Sequence, residues 1–184
     1  MLPHKSNIMR TIEIKAYQFK ELDEKTKQKV IQNNAEINVK YDWWECTYDT
    51  FKEVGVKIEG FDIYRGESEI QFYLDHTEVA SKIIETFGES TPISITCKNF
   101  MKERDALVKK YGEGNEIAGY SVKEELYDEF DEEEEEIILD FAGELNADIL
   151  EWLTREFEWL TSEESIIEAI EENEYEFTEE GKLI

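Results

Sequence analysis

Apart from its carboxylates, this chain has few residues that could carry out covalent or acid–base chemistry. His76 is the only histidine beyond His4, and Cys46 and Cys97 form no CxxC pair. A lone histidine beside Asp75, at the expected start of a helix, is more often a capping or surface residue than a general base. The chain also contains no GxSxG, P-loop, GxGxxG, HExxH or zinc-ligand spacing. The sequence therefore predicts a protein that is not an enzyme, with no catalytic residue and no cofactor.

Carboxylates are the abundant reactive groups. One uninterrupted run contains six of them: Asp131, Glu132, Glu133, Glu134, Glu135 and Glu136. The run lacks the spaced ligands and the mid-loop glycine of an EF-hand, so we expect no dedicated metal site. Neighbouring carboxylates disfavour each other's ionised forms, so we expect raised pKa values along the run.

The acids are concentrated in the last third of the chain. Residues 124–180 hold 25 Asp and Glu against one basic residue, Arg155, whereas residues 1–123 carry 21 acids and 18 bases. The formal net charge of the whole chain is −26. Such a one-sided field attracts basic surfaces and repels nucleic acid, phosphate and anionic membranes. We therefore expect a cationic protein partner, with no direct binding of nucleic acid or membrane.

The acidic third has the pattern of an ordered helix. Apolar residues recur at steps of three and four from Ile138 to Leu160, which is typical of one face of an amphipathic helix. If 124–158 is helical, its 16 acids average one per ~3.3 Å of axis, close to the ~3.4 Å between phosphates of one DNA strand. We predict that the run 131–136 binds the partner together with four acids on the polar face of the helix: Asp140, Glu144, Asp148 and Glu151.

The remaining elements indicate an α+β fold. Strands and helices do not alternate as βαβ units require, so we expect a small antiparallel sheet packed with several helices, and a long acidic amphipathic helix in the C-terminal third. The patterns predict a strand at 11–17, a helix from Asp23 to about 39, a helix at 42–54, a hairpin of 56–64 and 69–74, helices at 76–87, 96–111 and within 163–173, and a last strand at 175–177.

Composition predicts a division of the chain by charge. We expect a leader or cloning remnant at 1–8, a near-neutral α+β part at 9–111, a glycine-containing hinge at 112–120, and an acidic helical part with a C-terminal strand at 121–184. No apolar run is long enough to span a bilayer and no signal-peptide pattern is present, so we expect the cytoplasm of a bacterial host cell. The basic flank 10–29 leaves a homodimer open.

An aromatic stripe marks the helix expected at 42–54. Tyr41, Trp44, Tyr48 and Phe51 repeat at three- and four-residue steps and are expected in the core. In such a helix Trp43 lies about 100° round from Trp44, so one of the two indoles either meets a second layer or reaches the surface. Because tryptophan is enriched among binding hot spots, we include Trp43 as a candidate anchor for the partner.

Four segments resemble a family of small acidic proteins encoded by phages and prophages of Gram-positive bacteria. They read YxFxEL at 17–22, YDWWE at 41–45, GxxIxGFDxxRG at 55–66 and NEYEFT at 173–178, and the resemblance spans most of 11–180. Some proteins of this kind are reported as anti-CRISPR inhibitors of the type II RNA-guided nuclease, while many relatives are hypothetical or antitoxin-like. The motifs encode no chemistry, and no functional residue is carried over from them.

Charge and resemblance together predict a non-enzymatic phage anti-defence protein. The expected partner is a basic nucleic-acid-binding protein, a guide-loaded type II CRISPR nuclease, which holds its heteroduplex and target DNA in positively charged channels. A rigid polyanion can occupy such a cleft and block target DNA binding or cleavage, in part by DNA mimicry. The alternatives are an antitoxin-like module that neutralises a basic toxin, an inhibitor of another DNA-binding defence protein, and a protein whose acidity only keeps it soluble.

Overall fold

The computed structural model describes residues 13–117, 120–122 and 127–184, and for residues 112–117, 120–122, 127 and 128 it describes the backbone alone. Helices and antiparallel strands make up this part of the chain, which confirms the α+β class. In chain order the elements are β1 (Tyr17–Gln18), a 3₁₀ turn (Phe19–Glu21), α1 (Glu24–Asn33), α2 (Glu45–Glu53), β2 (Val56–Asp62), β3 (Glu67–Phe72), α3 (His76–Phe87), α4 (Pro92–Tyr111), β4 (Gly112–Ile117), β5 (Tyr120–Val122), α5 (Tyr127–Leu160), α6 (Glu163–Glu172) and β6 (Glu176–Phe177).

The strands form separate two-stranded ladders rather than one sheet. β1 pairs with β6, β2 with β3, and β4 with β5, each antiparallel. The β2–β3 hairpin turns at Gly66, whose φ of 70° suits glycine because a side chain is disfavoured in the left-handed region. β4 occupies most of 112–120, the stretch expected to be a hinge; residues 118 and 119 lie outside the described residues. The leader or cloning remnant expected at 1–8 also lies outside them.

The described chain divides into two compact units. One contains residues 13–41 and Glu158–Ile184, and the other contains Asp42–Phe157. This division follows packing, whereas the boundary expected at 112–120 follows charge and stays a prediction. None of the helices in the described ranges is long and apolar enough to cross a membrane.

The larger unit packs its helices and hairpin on the inner face of α5. Fully buried side chains come from α2, β2, α3, α4 and α5, and Phe100 of α4 stacks on Phe141 of α5 with 4.1 Å between ring centroids. The hairpin is tied to α5 by a pair of side chains: Asn146 donates to the Ser68 carbonyl at 2.9 Å, and the Ser68 hydroxyl donates to the Asn146 side-chain oxygen at 2.8 Å. Burial of this apolar face fixes which side of α5 points outward.

The smaller unit joins the two ends of the described chain. α1 and α6 pack around Phe177, which pairs with Tyr17 across the β1–β6 ladder. Part of the basic flank finds partners here, since Lys20 pairs with Glu171 at 3.2 Å and Lys27 with Glu24 at 3.0 Å. The strand expected to return to a sheet therefore pairs with the first described strand.

Several predicted boundaries are wrong by a few residues. Asp23 caps α1 as expected, accepting from the Thr26 amide at 3.0 Å, but α1 ends at Asn33 rather than near 39, where a run of asparagines and turns follows. Of the strand expected at 11–17, only Tyr17 lies in regular β structure, because β1 covers Tyr17–Gln18; residues 11 and 12 lie outside the described residues. α4 begins at Pro92 rather than after it, because proline is accepted in the first helical turn, where its missing N–H has no intrahelical partner.

Candidate functional site

Helix α5 carries all ten acids of the predicted contact set. Its 34 residues extend for about 51 Å and carry 14 acids and one base, Arg155. The inner face is buried through five apolar side chains with at most 2% exposure: Phe130, Phe141, Leu145, Ile149 and Leu153. Between Phe130 and Phe141 the helix packs through Ile137 and Ile138, which are partly buried, so the acids on the remaining faces are held on one packed element.

Glu134 does not face solvent but forms a buried ion pair with α4. Arg104 donates to its Oε1 through Nε at 2.8 Å and through Nη2 at 2.7 Å. The side chains of Arg104 and Glu134 are 9% and 15% exposed. The same guanidinium contacts Thr77 and lies 3.9 Å from Asp75 at the start of α3. Arg104 therefore links α3, α4 and α5.

Glu133 is the second member of the run that is used inside the molecule. Lys110 Nζ lies 2.6 Å from its Oε1 and 2.8 Å from its Oε2, and the Tyr111 hydroxyl donates to Oε1 at 2.7 Å. These hydrogen bonds lower the pKa of Glu133, and the bond from Lys110 has the larger effect. The expectation that crowding raises pKa values along the run is wrong at this position, because a cation and a hydroxyl donor outweigh the like-charged neighbours.

The other four acids of the run point away from the core. Asp131, Glu132, Glu135 and Glu136 are exposed, as are Asp140 and Glu144 further along the helix, and no described residue forms an ion pair or hydrogen bond with any of the six. Glu129, which is not among the acids predicted from the sequence, is a seventh exposed acid without such a partner among the described residues. We call these seven residues the acidic row.

The acidic row is dense enough to compare with a nucleic acid. Glu129 and Glu144 are 15 residues apart, or about 22 Å along the helix axis, so the mean axial spacing of the seven carboxylates is ~3.7 Å. One strand of duplex DNA carries one phosphate per ~3.4 Å. The similarity concerns linear charge density, and it belongs to carboxylates that no described cation neutralises.

The row ends at Glu144 because the next predicted acids have partners. Asp148 accepts a hydrogen bond of 2.6 Å from the Thr96 hydroxyl of α4, and Glu151 pairs with Arg155 one turn later. Beyond them Glu156 accepts from the Thr47 hydroxyl at 2.6 Å. The ten acids of the predicted contact set therefore separate into six free carboxylates and four that hold the fold together or pair along the helix.

Trp43 is mostly used in packing. It is half-buried, and its ring centroid lies 5.6–5.7 Å from those of Trp44, Phe61 and Phe157. Both indoles join one aromatic cluster because α2 begins only at Glu45, so the 100° separation of adjacent helical residues does not apply to them. A role for Trp43 as partner anchor stays a prediction.

His76 and Cys97, two of the groups that could serve catalysis, are packed into the fold. Burial, followed by the charge of Arg104, lowers the pKa of His76 despite the opposing charges of Asp75 and Glu134, and its ring packs 4.7 Å from that of Phe72. Burial raises the pKa of the Cys97 thiol to about 12. Within the described ranges no three His, Cys, Asp or Glu side chains are grouped so as to hold a metal ion. That the protein is not an enzyme stays a prediction.

Comparison of the chain with protein-family models, with curated proteins and with solved structures gives no match. The four motifs that carry the resemblance to phage proteins have visible roles in packing. Phe61 of the third motif lies 5.6 Å from Trp44 of the second, and Phe177 of the last pairs with Tyr17 of the first. The motifs thus account for contacts within the fold, and the resemblance stays a prediction.

Proposed function

We propose that this protein is a non-enzymatic phage anti-defence protein that binds the basic DNA-binding cleft of a type II RNA-guided nuclease and blocks target DNA binding or cleavage. The observation that carries the proposal is the acidic row, seven exposed carboxylates without a described partner along about 22 Å of one helix. A basic cleft attracts such a row as it attracts a DNA strand, through long-range steering and the release of bound counterions.

Rigidity makes the row more effective than an acidic tail of equal charge. A disordered polyanion loses conformational freedom when it binds, whereas the row is already fixed by the buried face of α5 and by two pairs to α4. Those pairs join Arg104 to Glu134 and Lys110 to Glu133, within the same run that supplies four of the free carboxylates. When the acidic row binds a basic partner, this protein therefore loses little conformational entropy.

The choice of a guide-loaded nuclease as the partner rests on the resemblance together with the charge. A nuclease of this class holds the guide heteroduplex and target DNA in positively charged channels and reads a short adjacent motif with arginines. Those arginines are suited to bidentate contacts with carboxylates as well as phosphates. Inhibition by occupation of such a channel requires no covalent chemistry in the inhibitor.

The experiment is a pull-down with guide-loaded type II nuclease, followed by target DNA binding with and without the protein at 50 and 200 mM salt. Binding that weakens at the higher salt and displaces target DNA would support the proposal. Binding that leaves DNA in place would support inhibition of a later activation step. Absence of binding at both salts would contradict the proposal and favour the antitoxin-like reading or another defence target.

A further inference from the structure

A second row runs along the outward side of α5 and carries no charge. Leu139, Gly143, Ala147 and Leu150 follow one another at steps of four, four and three, so they lie on one face over about 16 Å. The Leu139 side chain is 64% exposed, Gly143 and Ala147 are exposed, and Leu150 is half-buried. We call these four residues the apolar row.

The apolar row stands out against the composition of the helix. Acids occupy 14 of the 34 positions of α5, and Glu136 lies on the same face three residues before Leu139, but the four positions of the apolar row that follow it have none. Asp140 and Glu144 follow Leu139 and Gly143 directly, about 100° round the helix, so the apolar row borders the acidic row. A lone exposed leucine needs no explanation, but a row of four beside unpaired carboxylates defines a surface of mixed chemistry.

Gly143 adds an independent indication. A Cβ atom built at this position meets nothing within 4 Å, so packing within the described chain does not require glycine. Glycine in an exposed helix interior is less favourable than alanine for helix stability. Its presence is explained if the backbone of another molecule approaches the helix at this point.

The negative charge around the apolar row indicates what kind of molecule binds there. A second copy of this chain would bring its own acidic row against the first, with a net charge of −26 on each molecule, and the two would repel. A basic protein surface is attracted by the same carboxylates and can present an apolar recess between its cations. Nucleic acid and anionic membrane are excluded by repulsion.

We propose that the apolar row is part of the interface with the basic partner, with Leu139 entering an apolar recess and the partner backbone approaching at Gly143. This inference rests on the proposed function. It adds a source of selectivity, because a purely anionic row binds any basic cleft, whereas an aliphatic side chain at its centre favours a cleft with a matching recess.

The test uses L139S, G143A and the matched control I95S, which alters an aliphatic side chain of α4 that is 50% exposed. Affinity for guide-loaded type II nuclease is measured at 50 and 200 mM salt. L139S should weaken binding about ten-fold at both salts, the size expected for burying most of a leucine side chain, while I95S binds like the wild type. G143A should weaken binding several-fold while raising the melting temperature, a combination that a purely structural role does not give.

The outcomes separate the two proposals. Wild-type affinity for L139S and G143A, in a nuclease that the wild-type protein binds in a salt-dependent way, would overturn the apolar interface and leave the proposed function standing. Absence of wild-type binding would overturn both. A stable dimer in sedimentation that L139S dissociates would show that a second copy occupies the row, and would also overturn this proposal.

Discussion

Two neighbouring glutamates of the same helix are expected to differ sharply in their contribution to stability. Glu134 pairs with Arg104 in a site where both side chains are largely buried, whereas Glu133 pairs with Lys110 where the two side chains are 42% and 58% exposed. The substitutions E134Q and E133Q each remove one negative charge from adjacent positions. Relief of repulsion within the acidic run is therefore nearly the same in both, and the difference reports the two pairs.

The magnitude follows from burial. Removing one partner of a buried ion pair leaves an uncompensated charge and costs about 3–5 kcal/mol. Arg104 keeps its contacts with Thr77 and Asp75 in E134Q, so we expect a loss nearer 2–3 kcal/mol, or a fall in melting temperature of about 4–12 °C for a chain of this size. The exposed pair of Glu133 is screened by solvent, and its loss should change the melting temperature far less.

Thermal unfolding followed by tryptophan fluorescence suits this comparison. Trp43, Trp44 and Trp152 lie in the same compact unit as both ion pairs, so most of the fluorescence reports on the unit that is perturbed. R104M should be at least as destabilising as E134Q, because it also removes the contacts of Arg104 with α3. Equal melting temperatures for E134Q and E133Q would refute the reasoning that burial, rather than proximity of charges, determines which pair stabilises α5.

Three further predictions concern the backbone, pH and thiols. Glu174 has a φ of 51°, a value that glycine adopts without strain. E174G should therefore stabilise the protein by about 0.5–1 kcal/mol, measured by urea unfolding. The control E168G, inside α6, should destabilise it by a similar amount. Burial lowers the folded-state pKa of His76, so just below pH 6.5 the unfolded state binds more protons than the folded state. The free energy of unfolding should therefore fall as pH falls through this value, and it should fall less steeply in H76Q. Identical pH profiles for the wild type and H76Q would contradict this. Cys46 is exposed and Cys97 is buried with a pKa of about 12, so a thiol reagent at pH 8 should modify one cysteine in the folded protein and two after unfolding, and fast double labelling of folded protein would count against the burial of Cys97.

The sequence predicts the α+β class, α3 and the existence of α5 because their determinants are local. α3 begins and ends at the expected residues, where Asp75 accepts from the Thr77 amide and Gly88 adopts a φ of 83°. The apolar periodicity likewise predicts α5, since a buried stripe at steps of three and four requires no knowledge of its partner. Pairing of strands is not local, and the sequence did not reveal that the strands form separate ladders.

The candidate site could be predicted only as a set of charges. The sequence does not distinguish among the six acids of the run 131–136, whereas the contacts of Glu133 and Glu134 depend on where α4 packs against α5. Asp148 is removed from the free set by Thr96, which is 52 residues away in the chain. The helix expected at 42–54 begins only at Glu45, so the helical geometry used to place Trp43 and Trp44 does not apply to them. In each case a long-range contact or an element boundary decides the outcome.

The central claim is that the free carboxylates of the acidic row bind a basic cleft, beyond the general effect of net charge. Two charge-matched variants test it: one with E132Q, E135Q, E136Q and D140N in the row, and one with E168Q, E172Q, E176Q and E179Q at exposed positions of the other compact unit. Displacement of target DNA from guide-loaded type II nuclease is titrated with each. The account predicts that the row variant loses on the order of 100-fold in potency, at roughly 0.5–1 kcal/mol per lost charge contact, and that the control variant stays close to the wild type. Equal loss in both variants would show that only bulk charge matters, and full potency of the row variant would contradict the account.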